Sequence, residues 1–455
     1  MIYHDSKQWL GAATVASSAE NVASIPPLFV PMRGTWLDEN IDLRSPEGDK
    51  ITDAVIAVLD GIEKRDRKRR AIDLANHRRR VRNLLANGFR CLFHRQPEQV
   101  AYLRSAHAYD GRPDWLTGKA LSREVDNLTA CGLLSSSVGQ LGSASTFKIS
   151  KALFLLAGKC GVTSNSVTLT PPATRLVRVR SAGPGREFVD PAPSEDSKRW
   201  NSAVGAYNRF LETQDVALKL TSAEECEWVA RVNAQARSAG MPLYRPEMFQ
   251  KCLYRQFNNG TFENGGRLYG GWWITVPKAY RPRITINGGP TVELDYAGCA
   301  IRMLYQARGI DYLDDPYWIP EIAELTERLG LPADHYRGCI KALLQAAINH
   351  DEHGHPELIG LPLSFKTHFK RREVLGFIKA KHSTVSDCFG TKEGLRLQRI
   401  ESDIALEIIS TAMAEDVAVL PIHDSFVTTV DNQPFLLSLM REIYKKKMGF
   451  YPIIK

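Results

Sequence analysis

The sequence predicts an α+β protein in which a mostly helical, basic amino-terminal region precedes a domain of mixed helices and strands. Helical periodicity dominates the first part of the chain, proline and glycine accumulate over 161–197, and β-prone runs alternate with amphipathic helices after 198. We therefore predict a basic helical domain over 1–160, a linker over 161–197 and a second domain over 198–455 with its core from about 245.

Composition limits the class of protein. With 455 residues and 44% apolar content, the chain can bury two or three cores, which excludes an intrinsically disordered protein. Its eight cysteines form no Cys-x-x-Cys pair, so neither a zinc ribbon nor a disulfide framework is indicated. The chain begins without a signal-peptide pattern and holds no apolar run of membrane-spanning length. These features predict a cytoplasmic protein with no membrane partner.

Basic residues concentrate in one stretch of the amino-terminal region. The net charge is +8 with a pI near 9.0, and ten Lys or Arg residues lie over 64–82. A helix of this composition can follow nucleic-acid phosphates, and we identify Arg67, Lys68, Arg69 and Arg70 as candidate contacts. The alternative is a basic face that contacts only solvent.

The first 160 residues contain three predicted units. Residues 1–50 are rich in loop formers, and 51–87 have helical periodicity interrupted near Gly61. Residues 121–134 suit a helix closed by Gly132, followed by a turn of small residues over 135–145 and a short ribbon. Helix, turn and ribbon predict a winged-helix domain; a generic helical domain with a hairpin is the alternative.

The linker contains one predicted strand, over 176–180, and two helices follow it, over 198–213 and 222–240. Farther along, residues 291–296 read as a strand and 297–308 as a helix. Asp295 therefore lies at the carboxyl end of a strand, where carboxylates often hold metal ions.

A second polar pattern lies on a predicted helix that begins near residue 335. Arg337, Lys341, Gln345 and Asn349 recur every four residues and therefore share one face. The cations at the start of this stripe can bind a triphosphate. The alternative is an ordinary amphipathic helix.

Near the end of the chain, two β-prone runs meet at His423-Asp424, which predicts a hairpin with Asp424 at its tip. A helix over 394–409 leads into this hairpin, and a helix over 434–448 and a short closing strand follow it. Two carboxylates on neighbouring strand ends can hold a pair of divalent cations for phosphoryl transfer.

The order of these elements resembles the palm and fingers of family A DNA polymerases and single-subunit RNA polymerases over about residues 245–455. Asp295-Tyr296 with Arg302 resembles the first motif, Arg337 and Lys341 the Arg-x-x-x-Lys of the second, and His423-Asp424 the third. Arg267 and Gln398 also occupy places where the family has an arginine and a glutamine.

The resemblance implies a right-hand polymerase-like fold and a set of site residues. Two Mg²⁺ ions, replaceable by Mn²⁺, would be held by Asp295 and Asp424, which form the catalytic site with His423, Arg337 and Lys341. The remaining implied contacts fall into two groups. The incoming nucleotide would contact Tyr296, Ala300, Arg337, Lys341, Gln345 and Asn349, and the nucleic acid would contact Arg267, Arg302 and Gln398.

Two departures from the family pattern bear on substrate choice. Ala300 occupies the place of a glutamate that blocks the ribose 2′-hydroxyl in the DNA polymerases, so the resemblance implies ribonucleotide tolerance. Gln345 and Asn349 replace the expected aromatic and tyrosine, so stacking on the nascent base pair must come from elsewhere. The first 240 residues contain no exonuclease pattern.

Two other sequence patterns each have two interpretations. His350 to His355 contains three imidazoles and two carboxylates, but a polar loop is the better interpretation because nothing fixes a tetrahedral geometry. The aromatic run from Tyr269 to Trp273 either stacks template bases or packs in the core.

The sequence as a whole predicts a template-directed nucleotidyltransferase of the RNA polymerase or primase type, with DNA as template, possible use of RNA, and nucleoside triphosphates as substrates. One alternative is a DNA polymerase without proofreading. The other is a winged-helix replication initiator or regulator whose polymerase-like domain is inactive and only binds nucleic acid.

Overall fold

The structure, a computed structural model, describes residues 35–43, 45–62, 69–94, 98–109, 113–140, 143–163, 166–169, 176–183, 188–189, 191–238, 250–350 and 361–455. Within these ranges it is a mixed α/β protein whose helices and sheets form two separate hydrophobic cores. This architecture is compatible with the predicted α+β class. No helix in these ranges is long and apolar enough to cross a membrane.

The first core lies between Leu37 and Val167 and is built around four helices. The helices are α1 (Pro46–Ile62), α2 (Ala71–His94), α3 (Gly118–Ala130) and α4 (Lys151–Cys160). The strands are β1 (Thr35–Trp36), β2 (Ile41–Asp42), β3 (Val100–Tyr102), β4 (Leu134–Ser137), β5 (Ser145–Ile149) and β6 (Thr168–Leu169).

One sheet in this region has the order β1-β3-β5-β4, in which β3, β5 and β4 are antiparallel neighbours and β1 runs parallel to β3. Helix α3 directly precedes the β4–β5 hairpin. Its first turn is capped by Thr117, whose hydroxyl accepts a hydrogen bond from the Ala120 amide, and α4 is capped in the same way by Ser150. The local sequence therefore fixes where both helices begin.

Helix α2 is central to the first core. Val81, Leu84, Leu85 and Phe89 are fully buried, and their spacing of three and four residues puts them on one face. The amide of Asn83 donates to the carbonyls of Asp38 and Ile41 at 2.9 and 2.8 Å, which anchors the segment between β1 and β2. Polar groups on α2 thus fix the irregular segment between β1 and β2 by hydrogen bonds.

The second core extends from Leu176 to Tyr444. Its helices are α5 (Glu195–Thr213), α6 (Ser222–Ser238), α7 (Cys299–Gln306), α8 (Pro320–Arg328), α9 (Arg337–Asn349), α10 (Leu363–His368), α11 (Arg371–Lys381), α12 (Gly394–Ala414) and α13 (Gln433–Met448). Its strands are β7 (Val177–Arg180), β8 (Phe188–Val189), β9 (Val216–Leu218), β10 (Tyr254–Phe257), β11 (Gly265–Tyr269), β12 (Ile284–Ile286), β13 (Gly289–Asp295), β14 (Leu420–Ile422) and β15 (Ser425–Thr429).

Two sheets organise this region. The first is fully antiparallel with the order β14-β15-β13-β12-β9, and its central pair brings together strands about 130 residues apart in sequence. The second has the order β11-β10-β7-β8, with β7 parallel to β10. The strand and hairpin expected around Asp295 and Asp424 are therefore present and adjacent.

Most predicted helices are present, but one local expectation was wrong. Residues 135–137, predicted as part of a turn, form β4, because serine is tolerated in a strand that has a paired neighbour. The strand predicted over 176–180 is confirmed as β7, which pairs with β10, and the same stretch also contains β6, which pairs with β2. Proline and glycine correctly indicated breaks there, but the short strands between them depend on partners far away in sequence.

Candidate active site

The two candidate catalytic carboxylates lie on adjacent strands. β13 and β15 are antiparallel, and their register places Asp295 opposite Ser425, the residue after Asp424. The amide of Tyr296 donates to the carbonyl of Asp424 at 3.2 Å, which continues the pairing past the end of β13. Asp295 and Asp424 therefore meet at one edge of the antiparallel sheet, as the sequence predicted.

A tight turn holds Asp424 in place. His423 and Asp424 connect β14 to β15, and His423 adopts a left-handed backbone with φ of 61°. This conformation is unusual for a residue with a side chain. The His423 ring packs edge-on against Tyr269, with 5.7 Å between ring centroids. His423 thus lies beside Asp424, and its ring links the turn to β11.

The carboxyl-terminal segment braces the other side of Asp295. The Asp295 amide donates to the Lys455 carbonyl at 2.9 Å, the Lys455 amide donates back at 3.0 Å, and the Ala297 amide donates to Ile453 at 2.8 Å. The predicted closing strand is reduced to a single bridge between Tyr296 and Ile454. Backbone pairing therefore fixes Asp295 from both sides.

Asp295 lies in an environment that disfavours its charge. Burial raises its pKa to about 6, and the neighbouring Asp424 carboxylate adds to this effect, as does Glu293 more weakly. Lys341 and Lys278 act in the opposite direction. Two neighbouring carboxylates that repel each other form a site where an added cation would be stabilised.

Glu293 has a different environment from the two aspartates. Its carboxylate accepts hydrogen bonds from Arg281 at 2.7 Å and from the Ser425 hydroxyl at 2.8 Å, both at the same oxygen. Glu293 therefore anchors the hairpin at its turn end, and its carboxylate already has two hydrogen-bond donors.

The donor set fits Mg²⁺ in one specific way. Magnesium is usually held by one or two carboxylates together with substrate phosphates and water, so Asp295 and Asp424 suffice as the protein's share. Within the described ranges no cluster of three or more His, Cys, Asp or Glu residues could hold a metal by itself. The site therefore suits cations that arrive with a phosphate-bearing substrate.

Helix α9 confirms the predicted polar face but uses its residues differently. Arg337 makes a bidentate ion pair with Asp315 at 2.7 and 3.0 Å. Lys341 is exposed and acts on Asp295 electrostatically. Asn349 donates to the carbonyl of Gln345 at 2.7 Å. The Lys341 charge is therefore within electrostatic range of Asp295, whereas the Asn349 side chain turns back onto its own helix.

Tyr317 completes this side of the site. Its ring lies beneath the cations of α9, 4.9 Å from the Arg337 guanidinium carbon and 5.9 Å from the Lys341 ammonium. The side chain is buried, and burial raises its pKa to about 12, with the side chain of Gln345 acting in the opposite direction. Asp424 also contributes to this shift. Tyr317 therefore lies under the cations of α9 and within electrostatic range of Asp424.

Two residues expected to contact substrate are instead structural. Tyr296 is buried, its hydroxyl donates to the Met440 carbonyl at 2.8 Å, and its ring packs on Phe426 and Tyr444. Arg302 is also buried and donates to the carbonyls of Ala297, Tyr312 and Asp314. The expectations that Tyr296 binds nucleotide and that Arg302 binds nucleic acid were wrong. Alternation along β13 and helical spacing on α7 turn both side chains inward.

Arg267 is close to the site but already paired. It makes a bidentate ion pair with Glu401 of α12 at 2.8 and 2.7 Å. Burial lowers the pKa of Arg267, but Glu401 more than offsets this and holds the pKa above its ordinary value, with Asp424 contributing in the same direction. The pairing means that nucleic acid can meet only the exposed part of this guanidinium.

Gln398 and Ala300 occupy intermediate positions. Gln398 is half-buried on α12, and its side chain makes no hydrogen bond within the described part of the chain. Ala300 is half-buried at the start of α7 and packs against the second core. Their expected contacts with nucleic acid and with the nucleotide sugar stay predictions.

The basic run of the amino-terminal region differs from the expectation. Arg67 and Lys68 lie outside the described residues. Arg69 is mostly buried and pairs with Asp60 at 3.1 Å, whereas Arg70 is exposed. Farther along α2, the side chains of Arg78 and Arg82 pair with acidic residues of α1 and β2. The part of this run that forms α2 therefore holds two elements together, because α1 supplies the opposite charge.

The aromatic run separates into two environments. Trp272 and Trp273 are buried in the second core, whereas Tyr269 is half-buried beside His423. The histidine-rich stretch has only His350 inside the described ranges, so its proposed loop is outside them.

Sequence reasoning missed three residues of the site: Tyr317, Lys278 and Asp315. Each lies in a loop with no periodic pattern, so its place depends on the tertiary fold. The Asp-Asp-Pro-Tyr run over 314–317, acidic and aromatic at a turn, is the one signal that could have drawn attention to two of them. Comparison with known proteins adds no assignment: no protein-family profile matches this sequence, and the search of curated proteins found no match.

Proposed function

We propose that the chain is a template-directed nucleotidyltransferase that synthesises nucleic acid by metal-assisted phosphoryl transfer. The observation that carries this proposal is the pairing of Asp295 and Asp424 at one sheet edge with Lys341 of α9 in electrostatic reach. Carboxylates for divalent cations and a lysine for the triphosphate are the parts that this chemistry requires.

The proposed division of labour follows the site's geometry. Asp295 and Asp424 hold Mg²⁺, which when bound activates the attacking hydroxyl and offsets charge on the leaving pyrophosphate. Lys341 and Arg337 bind the triphosphate, for which Arg337 must exchange part of its pairing with Asp315. The buried ring of Tyr317 supports both cations from below.

We infer that the enzyme accepts ribonucleotides, as an RNA polymerase or primase does. Ala300 presents only a methyl group at the position that the resemblance assigns to sugar discrimination. Replacing it with glutamate (Ala300→Glu) should lower kcat/KM for ribonucleotides relative to deoxyribonucleotides by at least tenfold, because a carboxylate would crowd the 2′-hydroxyl. Ala300→Ser, which adds only a small side chain, is the control. If Ala300→Glu leaves the ratio of the two kcat/KM values unchanged, another residue must discriminate between the sugars.

The amino-terminal region supports a nucleic-acid partner. Its strand order β3-β5-β4, with α3 directly before the hairpin, is the arrangement expected of a winged helix. This supports DNA as template. It is also what favours the second candidate, a nucleic-acid-binding initiator or regulator whose second domain is inactive.

One experiment separates the two candidates. The protein is offered primed and unprimed DNA and RNA with ribo- or deoxyribonucleotides and Mg²⁺, beside its Asp295→Asn and Asp424→Asn variants. We expect the wild type to incorporate nucleotides and both variants to lose at least a thousandfold, while nucleic-acid binding changes only a few fold. Binding without incorporation under every condition would favour the inactive regulator.

A further inference from the structure

A continuous row of arginine and aromatic side chains leads across the second sheet to the catalytic turn. We name it the arginine–aromatic row; it consists of Phe188, Arg178, Tyr254, Tyr269 and His423. Along the row, the Arg178 guanidinium lies 5.8 Å from the Phe188 ring and 3.8 Å from the Tyr254 ring. The Tyr254 and Tyr269 rings stack at 6.0 Å, and Tyr269 meets His423 at 5.7 Å.

Strand register explains why these side chains share one face. Tyr254 pairs with Tyr269 across β10 and β11, and Gln256 pairs with Arg178 across β10 and β7. Paired residues project to the same side of a sheet, and residues two apart do so as well. Arg180 therefore joins the row's face, where it donates to Gln256 at 3.1 Å and lies 4.7 Å from the Phe188 ring.

The opposite face of the same sheet is packed. Val179, Arg255, Phe257 and Leu268 are buried there, and Arg255 is held by Asp403 and Ser402 of α12. The side with the row remains partly open: Arg178, Arg180, Tyr254 and Tyr269 are half-buried, and Phe188 is half exposed. A buried core on one side and an accessible row on the other make this sheet a rigid platform.

The chemistry of the row suits one kind of partner. Arginines that lie on aromatic rings present positive charge and planar groups together, which is the combination that binds unpaired nucleotides through phosphates and base faces. Arg180 makes no ion pair with a carboxylate in the described part of the chain, so its charge remains available for a phosphate. A duplex is a poorer fit, because its base faces are already stacked.

We propose that the arginine–aromatic row is the track on which a single strand of nucleic acid runs to Asp295 and Asp424. Arg178 and Arg180 hold phosphates, and Phe188 and Tyr254 contact bases. His423 ends the row and is adjacent in sequence to Asp424, so a strand on this face is delivered to the carboxylates. The functional meaning of this direction rests on the proposed nucleotidyltransferase activity, whereas binding itself does not.

The test measures binding of a short fluorescent oligothymidylate by anisotropy, in EDTA and without nucleotides, between about 50 and 200 mM salt. We expect the double variant Arg178→Gln, Arg180→Gln to bind at least tenfold more weakly. The slope of log affinity against log salt should shrink by about 1.4, since each phosphate contact on a single strand contributes about 0.7. The control is Arg199→Gln, Arg328→Gln, which removes the same charge from exposed ion pairs and should behave as the wild type.

A second measurement avoids dependence on the stability of the variants. An oligonucleotide containing iodouracil is photocrosslinked to the wild-type protein, and we expect the crosslinked peptides to contain β8 or β10.

A third measurement concerns the aromatic part of the row. Tyr254→Leu should weaken binding about fivefold or more, because base stacking on an aromatic ring is lost. Unchanged affinity and salt slope in the arginine variant, or crosslinks confined to other elements, would overturn the proposal.

The outcomes also separate this proposal from the proposed function. The protein could bind oligonucleotide through Arg178 and Arg180 and yet never extend a primer. That result would support the arginine–aromatic row as a single-strand site and contradict the proposed nucleotidyltransferase activity. Conversely, the protein could extend primers while its oligonucleotide affinity does not depend on either arginine. That result would support the proposed activity and contradict the arginine–aromatic row as a single-strand site.

Discussion

Asp295 shows how opposing influences act on one carboxylate. Burial and the charges of Asp424 and Glu293 raise its pKa to about 6, although Lys341 and Lys278 lie close enough to lower it. A catalytic metal would reverse this balance, because a divalent cation stabilises the ionised form. Without metal, ionisation of Asp295 at neutral pH therefore lowers the free energy of unfolding.

This conflict gives a prediction with a defined sign. Because the pKa of Asp295 in the folded state lies above its ordinary value of 3.8, its stabilising contribution is complete below about pH 4 and is lost as the pH rises through about 6. In EDTA at pH 7, Asp295→Asn should therefore raise the free energy of unfolding, by up to about 2 kcal/mol after allowance for solvent screening.

Urea denaturation at pH 4.5 and pH 7 measures this difference, and the gain should shrink at the lower pH. Millimolar Mg²⁺ should stabilise the wild type and leave Asp295→Asn unchanged. Destabilisation by the asparagine variant at pH 7 would show that Asp295 is held by a favourable partner and not by the charge conflict described above.

Among individual residues, sequence could predict those that follow a local pattern. Asp295 follows a strand, His423-Asp424 separates two β-prone runs, and Lys341 belongs to a helical stripe, so all three were identified. Tyr296 and Arg302 were assigned to substrate on the resemblance alone, and the fold turns both inward. Tyr317 and Lys278 were missed because no periodicity connects a loop residue to a distant carboxylate.

At the level of elements, the charged helix α2 shows why counting charges is insufficient. Its arginines predicted a phosphate-binding helix, but α1 presents Asp49 and Asp53 to the same face. Arg78 pairs with both of these residues, and Arg82 pairs with Asp49 and, at 2.6 Å, with Asp42 of β2. Opposite charges on neighbouring helices cannot be seen from either helix alone.

We predict that Arg78 and Arg82 contribute to stability and not to nucleic-acid binding. The double variant Arg78→Gln, Arg82→Gln should lower the free energy of unfolding by about 1 to 2 kcal/mol, since it leaves Asp42 and Asp49 without their partners. Thermal or urea unfolding measures this change. Arg70→Gln, at an exposed site just before α2, is the matched control and should leave stability unchanged. A weaker salt dependence of nucleic-acid binding in the double variant would restore the original interpretation of the run.

Considering the whole molecule, local patterns predicted helices well and long-range pairing poorly. β7, the strand predicted within the linker, lies between β8 and β10 and carries Arg178 and Arg180 of the arginine–aromatic row. Short strands have little intrinsic preference and form where a partner strand exists. The sequence therefore predicted β7 itself, but not the partner strands that make its face part of the arginine–aromatic row.

The amino-terminal region presents a second basic surface, on α3. A cavity of about 520 Å³ is lined by Arg104, Lys119, Ser122, Arg123, Asp126 and Asn127. Asp126 is already paired with Arg104 at 2.6 and 2.8 Å, so Lys119 and Arg123, one helical turn apart and both exposed, give this face its positive charge. With the β4–β5 hairpin beside it, α3 is suited to lie in a groove of duplex DNA.

The two basic surfaces should therefore have different partners within one protein. Lys119→Gln, Arg123→Gln should weaken binding to duplex DNA about tenfold and raise KM for a primed template, because two phosphate or base contacts are lost. Binding to oligothymidylate and kcat at saturating template should stay within about twofold, since α3 supplies no group to Asp295 or Asp424.

The control is the double variant Lys151→Gln, Lys159→Gln on α4, which removes the same charge from the same region. Equal losses for duplex and single strand would mean that α3 and the arginine–aromatic row act on one continuous ligand, and the assignment of separate partners would then fail.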